Sequence, residues 1–166
     1  PFSCDKGYFL IGTPAVIIGA CFALSGVLMP HAIRIHAHGG PEVMRWDEVP
    51  SVAPGRGEAL VRQTAVGLNF IDIYERTGLY SGQLPAGLGR EAAGVVEAVG
   101  PGVRDVKAGD RVAYASTAPG AYADERIMPV ASLVPVPEGV SDRLAAAALL
   151  KGMTAQVLLR RTYKVR

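Results

Sequence analysis

The feature that most constrains the fold is a change in hydrophobic period along the chain. From His31 to Pro137 apolar residues alternate with polar ones in short runs separated by glycine and proline; from Ser141 onward they recur at helical spacing. Alternation turns one strand face to a core and the other to water, so the first part reads as β. In Ala32–His38, Ile33, Ile35 and Ala37 alternate with Arg34, His36 and His38. Further strands are expected at Val43–Val49, Glu58–Gly67, Arg90–Gly100 and after the Ala108-Gly109-Asp110 corner. More strand falls in Gly120–Val130 and Ser132–Pro137, where prolines suit edges and ends. Phe70–Gly78 reads as a short helix stopped by its glycine, followed by an irregular loop through Gly89. Ser141 is a candidate N-cap for a helix over Asp142–Leu150, Gly152 punctuates it, and Met153–Lys164 reads as a second, amphipathic helix. A barrel-like β domain thus hands over to helices.

The first segment does not share this pattern. Gly7 through Pro30 carries no charge, and Tyr8–Met29 is long enough to cross a bilayer as a helix, with small residues at Ala15, Gly19 and Ala23. Met29 is followed at once by strand pattern and nothing downstream resembles a membrane protein. Residues 1–28 therefore read as a non-native leader ahead of a cytoplasmic protein. The alternative is a membrane anchor through residues 7–29. Cys4 and Cys21, the two cysteines, both fall here, which leaves the body without a disulfide framework or cysteine-ligated metal. A net charge of +2 with no basic run offers no electrostatic footing for nucleic acid.

Between Gly67 and Gly94 lies an unusual set of polar residues: Asn69, Asp72, Tyr74, Tyr80, Arg90 and Glu91, set among Phe70, Ile71, Ile73, Leu79, Leu84 and Leu88. Polar side chains in an apolar wrapper either tie down loop backbone or line a pocket where a few donors orient a ligand. The residues alone leave both open. Gly87-Leu88-Gly89-Arg90-Glu91-Ala92 matches a dinucleotide-type spacing, but it enters a strand and opens no helix, so it offers no seat for a pyrophosphate. Gly100-Pro101-Gly102 is a turn. His36 and His38 share a strand face without a third ligand, which favours a solvated face over a metal site.

The order and spacing of HGGPEVM (38–44), GLNFIDIYERTGLY (67–80), LPAGLGREAAGVVEAVGPGV (84–103), AGDRVAY (108–114), GAYADERI (120–127) and LLKGMTAQVLLRRTY (149–163) closely resemble one family. These are the zinc-independent, zeta-crystallin-like quinone oxidoreductases of the medium-chain dehydrogenase/reductase superfamily. The resemblance implies a mainly β fold with flanking helices, a GroES-like β-barrel domain that stops before the Rossmann dinucleotide-binding domain. The implied divisions are residues 1–28 as the extension, 29–140 as the GroES-like catalytic domain and 141–166 as the helical entry to a cofactor domain.

The same resemblance implies NADPH as cofactor and a quinone or enone as substrate, in a metal-independent enzyme with a homodimer allowed. Asn69, Phe70, Ile71, Asp72, Tyr74 and Thr154 would border the nicotinamide, and Asn69 and Tyr80 would face the substrate as the catalytic pair. Arg90 and Glu91 read as a structural polar tie. Arg90 stands where zinc-dependent relatives carry a ligating histidine, and a guanidinium has no lone pair to give a metal. Without the cofactor domain the chain by itself is expected to be inactive. The rival reading is a non-enzymatic GroES-like binding module, with or without a membrane anchor.

Overall fold

A computed structural model describes residues 29–80 and 82–163, so the reading of residues 1–28 as leader or anchor lies outside the described residues. The elements run β1 (His31–Ile35), β2 (Met44–Glu48), β3 (Glu58–Gly67), α1 (Phe70–Thr77), β4 (Ala86–Gly87), β5 (Glu91–Val99), β6 (Arg111–Ala115), β7 (Glu125–Pro129), β8 (Val134–Pro135) and α2 (Asp142–Val157). They form two antiparallel sheets, ordered β2-β1-β4 and β7-β3-β5-β6-β8. The segment entering β7 joins them: Ile33 N donates to Tyr122 O at 2.7 Å, Asp124 N donates to His31 O at 2.8 Å, and Ala32 bridges Ala123.

Strand β5 sits at the centre of the larger sheet, and its residues are small because both its faces are covered. Ala92 and Val96 turn to one side with Ala59, Val61, Val112, Tyr114 and Met128, the main core. Ala93 turns to the other, where Ala113 and Ala146 close against it and Leu149 packs alongside. Full burial of each valine in the main core contributes about 1.5–3 kcal/mol. The one polar group that Tyr114 brings there is satisfied, its hydroxyl donating to Gln63 Oε1 at 2.5 Å.

Prolines fall where the pattern puts them. Pro129 ends β7 and Pro135 lies in β8, the two edge strands of the larger sheet. Helix α1 stops at left-handed Gly78 (φ 84°), and α2 opens on Ser141, whose Oγ accepts Leu144 N at 3.2 Å.

Three expectations are corrected. Strand β1 stops at Ile35 short of His38, and His36 turns to Asp47, 2.7 Å from Nε2 to Oδ2. The loop before Gly89 contains a short strand, β4, held by β1. Gly152 does not divide the terminal helices: α2 runs through it to Val157 before passing into wider π-type turns at Leu158–Thr162. A lone glycine costs a helix only about 1 kcal/mol, which the alanine- and leucine-rich segment before it, packed on the sheet through Ala146 and Leu149, offsets. Among the described residues no helix is long and apolar enough to cross a membrane.

Candidate active site

The site is built around Glu91, the first residue of β5, whose side chain is 0% exposed. It pairs across the sheet with Gly67, the last residue of β3. The absence of a side chain at Gly67 makes room for the carboxylate, since a Cβ there would stand 2.3 Å from Oε1. Three groups from two parts of the chain then satisfy it. Asn69 Nδ2 donates to Oε1 at 2.9 Å, Lys151 Nζ to Oε1 at 2.6 Å, and the backbone N of Leu150 to Oε2 at 3.1 Å. Lys151 Nζ also reaches Asn69 Oδ1 at 3.2 Å. A buried carboxylate needs paired, hydrogen-bonding partners, and this one fastens the start of α1 and the middle of α2 to the sheet.

Asp72 forms a second anchor, buried in the first turn of α1. Its Oδ2 accepts Asn69 N at 2.9 Å and the hydroxyl of Tyr122 at 2.6 Å, while Oδ1 has no partner. Burial, and then the bond to Asp72, pushes the Tyr122 hydroxyl well above the usual tyrosine range. The ring of Tyr122 lies against Gly89, where φ is 87° and a Cβ would stand 2.3 Å from a ring carbon. Both the backbone angle and the close approach require glycine at that position.

Beyond α1 lies a cavity of about 420 Å3, lined by Ile35, His38, Tyr80 and Leu88 and by the ion-paired Arg90 and Glu75. Arg90 Nε and Glu75 Oε2 are buried there without partners. Tyr80 is 56% exposed and meets Tyr74 edge-on, with ring centroids 5.5 Å apart.

The residues singled out from the sequence therefore divide into groups. Asn69 sits on the Glu91–Lys151 cluster, while Tyr74 and Tyr80 lie together beside the cavity. Phe70 projects outward at 76% exposed, beside Leu68 at 73%, and Ile71 is half-buried. Thr154 lies one turn beyond Leu150 on exposed α2, its hydroxyl donating to Leu150 O at 2.9 Å. Asp72 is held beneath the helix start. Arg90 and Glu91 make two separate ties, to Glu75 and to Lys151, because neighbouring residues entering a strand point to opposite faces.

Sequence reasoning passed over Lys151 and Tyr122. Lys151 had a signal, being the one charged residue between Arg143 and Arg160. Tyr122 had none.

These two antiparallel sheets, with a helix on the face of the larger one, define a GroES-like β domain of the alcohol dehydrogenase type. The alcohol dehydrogenase GroES-like domain family matches residues 55–138. The chain is 49% identical over 139 residues to a quinone oxidoreductase of Pseudomonas aeruginosa, covering 83% of this chain and 43% of that protein. It is 45% identical over 144 residues to a 2-haloacrylate reductase of a Burkholderia species, covering 83% and 43%. The crystal structure of Escherichia coli quinone oxidoreductase complexed with NADPH superposes with a TM-score of 0.79 at 46% identity, over 82% of this chain and 42% of that one. The chain belongs to the alcohol dehydrogenase GroES-like domain family, and over the aligned part it is similar to quinone oxidoreductases. It spans about 43% of the length of the first of these relatives.

Proposed function

We propose that this chain forms the substrate-facing part of an NADPH-dependent, metal-independent reductase of quinones or enones. The observation that carries the reading is Asn69, held rigidly at the start of α1 beside outward-facing Phe70 and Leu68. This exposed apolar surface with one fixed amide suits the nicotinamide end of the cofactor: a flat ring bearing a carboxamide. Asn69, Phe70, Ile71, Tyr74 and Thr154 would border that end, and Asp72 would act from below by fixing the backbone of Asn69. The described residues do not suit the pyrophosphate, because Gly87–Gly89 leads into a strand.

When bound, the cofactor supplies a hydride, which together with one proton from water converts a quinone to its hydroquinone. The chain's own residues orient the acceptor and stabilise charge. Tyr80, at the mouth of the cavity, offers a hydroxyl to the oxygen that becomes negative as the hydride arrives. The cavity of about 420 Å3 accommodates a one- or two-ring acceptor. Arg90 is committed to Glu75 and has no lone pair for a metal.

The test is a chimera that joins residues 29–163 of this chain to the C-terminal remainder of the Pseudomonas aeruginosa relative. Quinone-dependent oxidation of NADPH, unchanged by a chelator, is the expected result. A folded chimera that binds NADPH but reduces neither quinones nor enones would remove the reading.

A further inference from the structure

The amide of Asn69 can in principle sit in either of two orientations, related by a half-turn about its last bond. Its neighbours permit one. A carboxylate only accepts hydrogen bonds and an ammonium only donates them. Glu91 Oε1 therefore requires Nδ2, at 2.9 Å, and Lys151 Nζ requires Oδ1, at 3.2 Å. Reversal would set the amide oxygen against the carboxylate and the amide nitrogen against the ammonium, spoiling both contacts at once. Glu91 cannot yield, because it is fully buried against Gly67 and its second oxygen is held by Leu150 N.

We propose that Glu91, with Lys151 beside it, is the positioning residue that locks Asn69 as a hydrogen-bond donor. The carbonyl of Asn69 is occupied by Lys151 and one of its two N–H bonds by Glu91. What remains to face a ligand is the second N–H, together with one lone pair of Oδ1 beside the ammonium. The site thereby offers a fixed donor to a neutral carbonyl oxygen, as in a quinone, an enone or a carboxamide. Lys151 shares Oε1 of Glu91 with Asn69, 2.6 Å from its own Nζ. The consequence for catalysis rests on the proposed function, whereas the orientation itself rests on the geometry alone.

Nuclear magnetic resonance of the 15N-labelled 166-residue chain, without cofactor, tests the orientation directly. Two distinct Asn69 Nδ2 protons are expected, the one bonded to Glu91 exchanging with water about tenfold or more slowly than the other, as a hydrogen bond to a charged group requires. Glu91→Gln removes the charged acceptor and should shrink the difference, whereas Lys151→Met leaves the bond to Glu91 in place and should keep it. If the glutamine variant does not fold, the wild-type spectrum and the methionine variant still decide. Wild-type protons exchanging at equal rates would overturn the proposal.

The chimera supplies the second arm. Glu91→Gln should lower kcat about tenfold while the KM for NADPH changes little, and Lys151→Met should have the smaller effect. If Asn69→Ala abolishes turnover but Glu91→Gln leaves both turnover and proton exchange untouched, Glu91 positions nothing and the inference falls. If the lock is present but Asn69→Ala turns over normally, the orientation stands and the catalytic reading of Asn69 is what fails.

Discussion

The hydroxyl of Tyr122 donates to Asp72 Oδ2 at 2.6 Å, joining residues separated by 50 positions. Through this bond the segment that stitches the two sheets together also fixes the first turn of α1, and with it the backbone of Asn69. The position of the site is thus set from the side opposite its exposed face.

Tyr122→Phe keeps the ring against Gly89 and removes the donor. Asp72 is left with Asn69 N alone, since Oδ1 has no partner. A loss of about 1–3 kcal/mol in denaturant unfolding is expected. The hydroxyl is held above its ordinary value near ~10, so its contribution is complete below that pH and disappears only as the solution becomes more alkaline. The difference in stability between wild type and the variant should therefore be flat through neutrality and shrink only under alkaline conditions.

Gly67→Ala should be poorly tolerated. The new methyl group would meet Glu91 at 2.3 Å, and that carboxylate is pinned by Asn69, Lys151 and Leu150. Overpacking of this kind costs about 1–3 kcal/mol. Equilibrium unfolding checks it, and an unchanged midpoint would mean that Glu91 has freedom the network denies it.

Asp142 ties the start of α2 to the sheet. Its carboxylate accepts Thr64 Oγ1 at 2.6 Å and Arg111 Nε at 3.0 Å, and these bonds, that from Thr64 foremost, hold it below the usual aspartate range. A depressed carboxylate contributes stability above its ordinary value and loses it as pH falls through the lowered one. Asp142→Asn should therefore be less stable than wild type at neutral pH, by about 0.5–1 kcal/mol given how far water screens the pair. The gap should close only below about pH 4. Acid titration of unfolding for both proteins measures it.

Tyr80→Phe, made in the chimera, leaves the edge-on contact with Tyr74 and removes one donor. If the hydroxyl bonds the developing oxyanion, kcat falls about tenfold, equivalent to ~1.4 kcal/mol. A change confined to KM would make Tyr80 a wall of the cavity and no more.

Local signals carried a good deal of this architecture. The alternation over Glu58–Gly67 gave β3 with its observed ends, Gly78 closed α1, and Ser141 capped α2, because each depends on residues within a few positions of one another. The family resemblance was also legible, since its motifs run in order from His38 to Tyr163. Which of two adjacent polar residues becomes the hub was not. Arg90 and Glu91 look like one tie in sequence, yet the strand sends one to Glu75 and buries the other beneath Asn69 and Lys151. Lys151 and Glu91 are 60 positions apart, Tyr122 and Asp72 are 50, and neither pair leaves a periodic trace. Local spacing determines which backbone each segment adopts. Only the packing of α2 and of the segment before β7 against the sheet decides which polar groups lose water together, and a polar group that loses water must find its partner wherever the fold brings one.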